Sequence, residues 1–295
     1  MNLIQKYRPH GIAVTDLSAQ LWCEKQLEFS FEKGRVKTKE MQKGKERHTD
    51  LHEEIYVIIK VEPRTIEDFI AVRLNNCLIG LTTLLKGKIT RELPIYGKVN
   101  SLFVLGSIDE LMLKNGKLLM LDTKTRGSNN MPSESQKRVT RFQLMLYKHL
   151  FDSIKDGKFN HNDLLAFYNL NEKSTITKEI QKQFLEIGDN IEPNINKLSR
   201  KVFSMIKEFP GISDNLQIRY ESQITKKLIG IDEFQFNAEL FKRDCDFVEE
   251  FWLEKRKAIP VGESNKWKCN YCEFKTFCSN NTKTLNMFSD KQILS

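Results

Sequence analysis

No uninterrupted apolar run in this sequence reaches the ~18 residues that a membrane-spanning helix needs, so no membrane association is expected. The opening stretch, MNLIQKYRPHGIAV, has neither the apolar block of a secretory signal nor the length of a convincing mitochondrial transit peptide. The expectation is an intracellular chain whose thiols are reduced. Internal repeats and low-complexity linkers are missing as well. So is any phosphate loop of the G-x-x-x-x-G-K-[ST] type, which removes P-loop motors from consideration.

What is present is an ordinary folded composition: 295 residues, 40% hydrophobic and 29% charged, enough for a sizeable core. A net charge of +8 with pI ≈ 9.0 suits a polyanionic partner better than an acidic protein substrate, although lysine-rich chains are also basic without touching nucleic acid. Six cysteines in a reducing compartment point to metal ligation or simple burial.

Apolar spacing predicts helices over residues 15–32, with Thr15 or Asp16 as cap, then 38–58 and 66–86. Strands follow at 90–97, 102–113 and 117–124, the last two joined by Lys114-Asn115-Gly116, where Asn-Gly is a strong hairpin signal. A helix is expected over 134–152, a polar Asn/Lys-rich stretch over 153–200, and strands near 215–223 and 227–232. A long amphipathic helix over 236–257 is ended by Pro260 and Gly262, before a cysteine-rich tail. This is an α/β pattern with helices on either side of a strand-rich middle.

The hairpin carries the chemistry. Asp109 lies on its first strand, and Asp122 and Lys124 lie two apart on its second, hence on one face. Two carboxylates and an ammonium thus converge at the end of a sheet. Carboxylate oxygens suit Mg²⁺ or Mn²⁺, and a lysine beside them can orient a water and balance charge on phosphorus. Glu92 on the preceding strand could add a carboxylate and His48 a nitrogen. A surface Glu92–Arg91 pair and an exposed His48/His52 helix face are the plainer alternatives. On the next helix Gln143 and Tyr147 stand one turn apart beside an apolar stripe, so if buried they need polar partners.

Asp109, Asp122-x-Lys124 and Gln143-x-x-x-Tyr147 resemble the nuclease motifs of the RecB-type branch of the PD-(D/E)XK superfamily. The resemblance implies that Asp109 and Asp122 bind metal and that Lys124 is the catalytic lysine. Glu92 and the histidine of Gly44-x-x-x-His48 resemble the residues that complete a two-metal site in some members.

Near the C-terminus Cys269-x₂-Cys272-x₅-Cys278 supplies three thiolates, and Cys23 is the candidate for a fourth. Zinc is the generic reading of such a set. A triplet with one distant cysteine is also similar to iron–sulfur RecB-type nucleases, which implies a [4Fe–4S] cluster on Cys23, Cys269, Cys272 and Cys278. Cys77 and Cys245 have no ligand spacing and are expected to be buried. Val14-Thr15-Asp16-Leu17, Trp22-Cys23-Glu24-Lys25-Gln26 and Met41-x-x-Gly44-x-x-x-His48 are most similar to the exonuclease V family, over residues 12 to 280. CRISPR-associated adaptation nucleases and AddB-type subunits share the cluster and nuclease motifs, but the former are usually shorter.

The resemblance implies one nuclease domain over 1–295. It would consist of an N-terminal helical part at 12–90, a PD-(D/E)XK core with a mixed sheet at 90–235, and a C-terminal helix with the cluster loop at 236–280. It also implies a monomeric exonuclease in DNA repair or genome maintenance that cuts single-stranded DNA from an end into short oligonucleotides. A single-strand-binding protein is a possible partner, and the expected compartment is the nucleus, with the mitochondrion as alternative. A non-catalytic DNA-end-binding module is the competing reading. Arg126, Lys137, Arg138 and Arg141 are candidates for backbone phosphates, and Lys37, Lys39, Lys43, Lys45 and Arg47 form a second basic segment.

Overall fold

The computed structural model describes residues 2–35, 38–56 and 61–278. Its strands are β1 (Ile12–Ala13), β2 (Thr90–Val99), β3 (Leu102–Lys114), β4 (Lys117–Arg126), β5 (Asn215–Ser222) and β6 (Leu228–Gln235). They form one mixed sheet around β3. Antiparallel β2 lies along one side of β3, while short parallel β1 and antiparallel β4 share the other. Parallel β5 follows β4, and antiparallel β6 ends the sheet. The turn between β3 and β4 has Asn115 at φ 51° and Gly116 at φ 72°, the paired positive angles that a two-residue hairpin of this hand demands.

Helices flank the sheet: α1 (Leu3–Tyr7), α2 (Val14–Gln20), α3 (Glu24–Lys33), α4 (Lys39–Glu53), α5 (Ile66–Leu85), α6 (Glu134–Lys155), α7 (His161–Phe167), α8 (Lys178–Glu186), α9 (Ile195–Glu208) and α10 (Ala238–Trp252). A short 3₁₀ helix, Glu263–Tyr271, opens the cysteine loop. Three expectations need correction. The helix over 15–32 is two helices, broken at residues 21–23, where Cys23 is extended at φ −168°. Neither Thr15 nor Asp16 is the cap. Ala13 is, and Asp16, one turn in, accepts a hydrogen bond from the Ala13 N–H at 3.3 Å. The long helix over 236–257 stops at Trp252, well before Pro260, and Glu254 at φ 56° turns the chain away.

The stretch over 153–200 is not featureless. It contains α7, α8 and the start of α9, whose Ile195, Leu198, Val202 and Ile206 are buried at helical spacing. Asn and Lys between those positions masked the period. The helix expected over 38–58 ends at Glu53, and residues 57 and 58 lie outside the described residues. By length and composition α5 could span a membrane. It packs instead on β2 and α9, with Ile70, Ala71, Leu74, Leu81 and Leu84 essentially inaccessible, as a core helix does.

Leu198 is completely buried in the main core. Leu198→Ala should therefore cost about 2–5 kcal/mol in a urea titration. A loss under about 1 kcal/mol would show that α9 is peripheral.

Candidate active site and cysteine centre

The β3–β4 ladder runs from Lys114–Lys117 to Glu110–Leu121 and stops there. Asp109 and Asp122 are the next residues on each strand, so their side chains meet where the strands part. β4 continues alone beside β5, pairing Asp122 with Ile218 and Lys124 with Tyr220. Lys124 Nζ lies 2.8 Å from Asp122 Oδ2 and 4.0 Å from Asp109 Oδ2. Asp122 is 2% exposed. Lys124 thus holds Asp122 Oδ2, whereas Asp122 Oδ1 and Asp109 Oδ2 have no well-aligned donor among the described residues beyond the contact between the two carboxyls.

Burial, and then the neighbouring Asp122 charge, hold the Asp109 carboxyl well above its usual range. Burial is also the largest single effect on Asp122 and opposes its ionisation, but the Lys124 charge together with hydrogen bonds from Asp109 and Lys124 outweighs it and keeps that carboxyl low. The two carboxylates likewise outweigh desolvation at Lys124 and hold its ammonium above the ordinary lysine value.

α4 packs on β4 and β2 and brings His48 over the pair. His48 Nδ1 is 3.6 Å from both Asp109 Oδ2 and Glu92 Oε1, and one ligand atom from each of the three residues fits within a mutual 4.8 Å. Asp122 stands beside this trio. Gly44 lies over Thr125, whose Oγ1 would be 3.4 Å from a Cβ placed there, an ordinary van der Waals contact. Glu92 interrupts the β2–β3 pairing at φ 52°, a left-handed conformation rare for a side chain of its size. His52 turns elsewhere, against Tyr56, whose hydroxyl bonds Thr90.

α6 covers the pair from the other direction. Gln143 and Tyr147 are both buried, and Gln143 hydrogen-bonds the Tyr147 hydroxyl. Burial, then the Asp109 charge, push that hydroxyl far above an ordinary phenol. Tyr147 can lie here only because residue 106 is glycine: a Cβ would sit 2.6 Å from its ring.

The phosphate candidates all have partners within the chain. Arg126 donates to the Asn130 carbonyl (2.9 Å) and Lys137 pairs with Glu134 (2.8 Å). Arg138 pairs with buried Asp244 (2.8 Å), and Arg141 forks onto buried Asp232 (2.6 and 2.8 Å). Of the second basic segment, Arg47 is tied to Glu221 at 2.9 Å, and Lys37 lies outside the described residues. Sequence reading missed Tyr220, a buried phenol paired across the strands with Lys124, although Leu216, Ile218 and Tyr220 alternate inward along β5.

At the other end of the molecule Cys23, Cys269, Cys272 and Cys278 line a single cavity. Backbone N–H groups of Lys25, Gln26 and Val261 point at the Cys23 sulfur and favour its thiolate, but burial is stronger and raises the thiol. Burial raises the Cys272 thiol too, against the Phe274 N–H. Such thiols stay protonated unless a cation takes their charge. Cys77 and Cys245 are 2% exposed and lie in the main core. Next to Cys23, Glu24 is 1% exposed and holds the Arg256 guanidinium with both oxygens, at 2.6 and 2.9 Å. It also accepts the Ile259 N–H at 2.9 Å. This tie between α3 and the segment leading into the cysteine loop had no signal in sequence spacing.

The chain matches the family model described as "Exonuclease V - a 5' deoxyribonuclease" over residues 2–118, 114–208 and 190–280. It is 30% identical over 282 residues to Exonuclease V of Danio rerio, covering 93% of this chain and 71% of that protein. Exonuclease V, mitochondrial, of Kluyveromyces lactis is 32% identical over 72 residues, 23% of this chain and 13% of that protein. Its namesake in Candida albicans is 24% identical over 87 residues, 29% and 14%.

Glu24→Gln should cost about 1–3 kcal/mol, because it removes the buried carboxylate from the Arg256 guanidinium and leaves it only the half-exposed Glu250 as counter-charge, at 3.0 Å. Adding Arg256→Met should recover part of that loss in thermal melts. Additive losses in the double variant would show that the two side chains do not act as a pair.

Proposed function

The chain belongs to the exonuclease V family and is a deoxyribonuclease, and from that premise we propose that it is a metal-dependent exonuclease degrading single-stranded DNA from a 5′ end. One observation carries the proposal. The buried carboxylates of Asp109 and Asp122 crowd together beside Glu92 and His48, and Lys124, 2.8 Å from Asp122, is the one lysine or arginine paired with them among the described residues. Hard oxygen donors with one imidazole fit Mg²⁺ or Mn²⁺. A cation held there supplies Lewis acidity toward the phosphodiester and lowers the pKa of water. The remaining work falls to the side chains. Lys124 holds a phosphate oxygen or the attacking water against Asp122. Tyr147, fixed by Gln143, restrains Asp109 from the α6 side. Glu92 and His48 set the far wall.

The four cysteines fit a thiophilic centre, since buried sulfurs approached by N–H donors are suited to be thiolates under a metal's charge. Its ligand set, a C-terminal triplet with one distant cysteine, is the reason to read it as a [4Fe–4S] cluster, with zinc as the alternative. The centre would close a loop of roughly 250 residues between Cys23 and Cys269 and restrict the unfolded chain by about 5 kcal/mol in a chain-entropy model. Two yeast relatives carry "mitochondrial" in their names, which supports the mitochondrion over the nucleus as compartment.

Asp109→Asn, Asp122→Asn and Lys124→Ala should each lower cleavage of end-labelled single-stranded DNA in Mg²⁺ at least a thousandfold. Asp109→Asn should also keep or raise the melting temperature, because it replaces with a neutral amide a carboxyl whose ionisation burial and the Asp122 charge already oppose. A circular single strand should survive while a linear one is degraded. Activity of any of these variants near that of the wild type would sink the assignment, and efficient cutting of the circle would make the protein an endonuclease.

Cys23→Ser should bleach the broad visible absorption of the purified protein and lower its melting temperature, while Cys77→Ser and Cys245→Ser keep the colour. A brown Cys23→Ser protein with full iron content would remove Cys23 from the ligand set, and a colourless wild type binding zinc would replace the cluster.

A further inference from the structure

Four large aromatic side chains are exposed among the described residues: Phe167, Trp267, Tyr271 and Phe277. Phe167 is already accounted for, lying flat on Phe103 with ring centroids 3.6 Å apart. The other three fall within eleven residues, on the loop that carries Cys269, Cys272 and Cys278. Tyr271 is 81% and Phe277 60% exposed, while Trp267 at 39% is braced edge-on against Trp22. A loop needed only to present thiolates has no use for bare rings, which favour leaving water for an apolar or π-face partner.

The rings are interleaved with cations. Lys266, Lys268 and Lys275 alternate with them along the loop, and Lys33 of α3 lies 4.4 Å from the Phe277 ring centroid. Acidic residues are few and engaged: Glu263 pairs with Lys266 at 2.6 Å, and Glu273 accepts from Gln26 at 2.6 Å. Alternating rings and positive charge suit a partner that offers flat faces on a polyanionic backbone.

The position of the loop extends the argument. Arg138 lines one groove with Lys268 of the cysteine loop and with residues of α2, α3 and α10. The Lys268 ammonium is turned inward onto Trp22, donating to its carbonyl at 3.4 Å, whereas the Arg138 side chain is half exposed although paired with Asp244. Arg138 precedes Gln143 by five residues on α6, about 7.5 Å along the helix axis. A strand resting on the loop therefore passes an exposed guanidinium on the way to Asp109 and Asp122.

We propose that the cysteine loop is a base-stacking platform for single-stranded DNA, with Tyr271 and Phe277 receiving bases and Arg138, half exposed beside its partner Asp244, offering charge to the backbone between platform and carboxylates. The proposal rests on the nuclease reading above and deepens it: the module that closes the fold also grips substrate.

The test measures binding of full-length protein to a fluorescein-labelled linear thymidine 20-mer by anisotropy, with Ca²⁺ replacing Mg²⁺. The Tyr271→Ala/Phe277→Ala double variant should bind at least about tenfold more weakly, and Tyr271→Trp/Phe277→Trp should restore binding. With wild-type protein, moving an abasic site along the 20-mer should reveal a short window in which losing a base weakens binding comparably. Unchanged affinity in the alanine variant, or a flat abasic profile, overturns the platform while leaving the nuclease reading standing. Loss of self-association in the alanine variant with DNA affinity intact also overturns it, since a second copy would then cover the rings. A wild-type protein that neither binds nor cuts single strands overturns both.

Discussion

Asp109 and Asp122 face each other at the point where a hairpin ladder ends, inside a cleft that leaves Asp122 almost no solvent. With one ammonium between them, two ionised carboxylates carry an excess negative charge that the interior cannot screen well. The chain by itself relieves this only by keeping a proton on Asp109, the direction in which burial and the neighbouring charge already push it. A cation relieves it better. The neighbours look arranged around that need: a third carboxylate and an imidazole occupy positions where a stability-driven core would place hydrocarbon.

Holding these groups together requires local departures from regular structure, each compensated nearby. Glu92 adopts a left-handed backbone inside a strand, a strain of about 1–3 kcal/mol. Its neighbour Arg91 then ties that part of β2 down, pairing with Glu110 at 3.1 Å and donating to the Leu51 carbonyl at the end of α4 at 3.1 Å. α4 is itself pinned to β5 by Arg47 on Glu221. His48 is thus fixed from two strands, with Leu51 the buried residue of its otherwise polar helix. Gly106 does the complementary job, removing the Cβ that would keep Tyr147 at a distance.

The hairpin, its Asn-Gly turn and the Asp109, Asp122 and Lys124 set were legible because strand alternation is strict and turn chemistry is local. Gln143 and Tyr147 were legible because two polar groups interrupt an apolar helical stripe. The break at residues 21–23 was not: Leu21 and Trp22 continue the apolar pattern, and only Glu24's ion pair with Arg256, more than 200 residues later, explains why the chain turns there. α9 was hidden for the opposite reason. Its four buried aliphatics are spaced correctly, but its mean composition is polar. Ion pairing also escaped the sequence. Arg138 and Arg141 read as free phosphate ligands until Asp244 and Asp232, about a hundred residues on, proved to be their partners.

The Glu24–Arg256 tie reaches the carboxylates through a short path. α2 starts at Val14 directly after β1 and ends at Gln20, three residues before Cys23. Its first residue crowds the same space over Gly106 as the Tyr147 ring: a Cβ on Gly106 would meet Val14 at 3.0 Å and Tyr147 at 2.6 Å. α2 also packs along α6, which carries Tyr147. Anchoring the start of α3 by Glu24 therefore fixes the far end of α2, and through α2 the contact that seats Tyr147 against Asp109. The Glu24–Arg256 tie and the seat of Tyr147 over Gly106 are thus the two ends of one packed path, running through α2 and along α6.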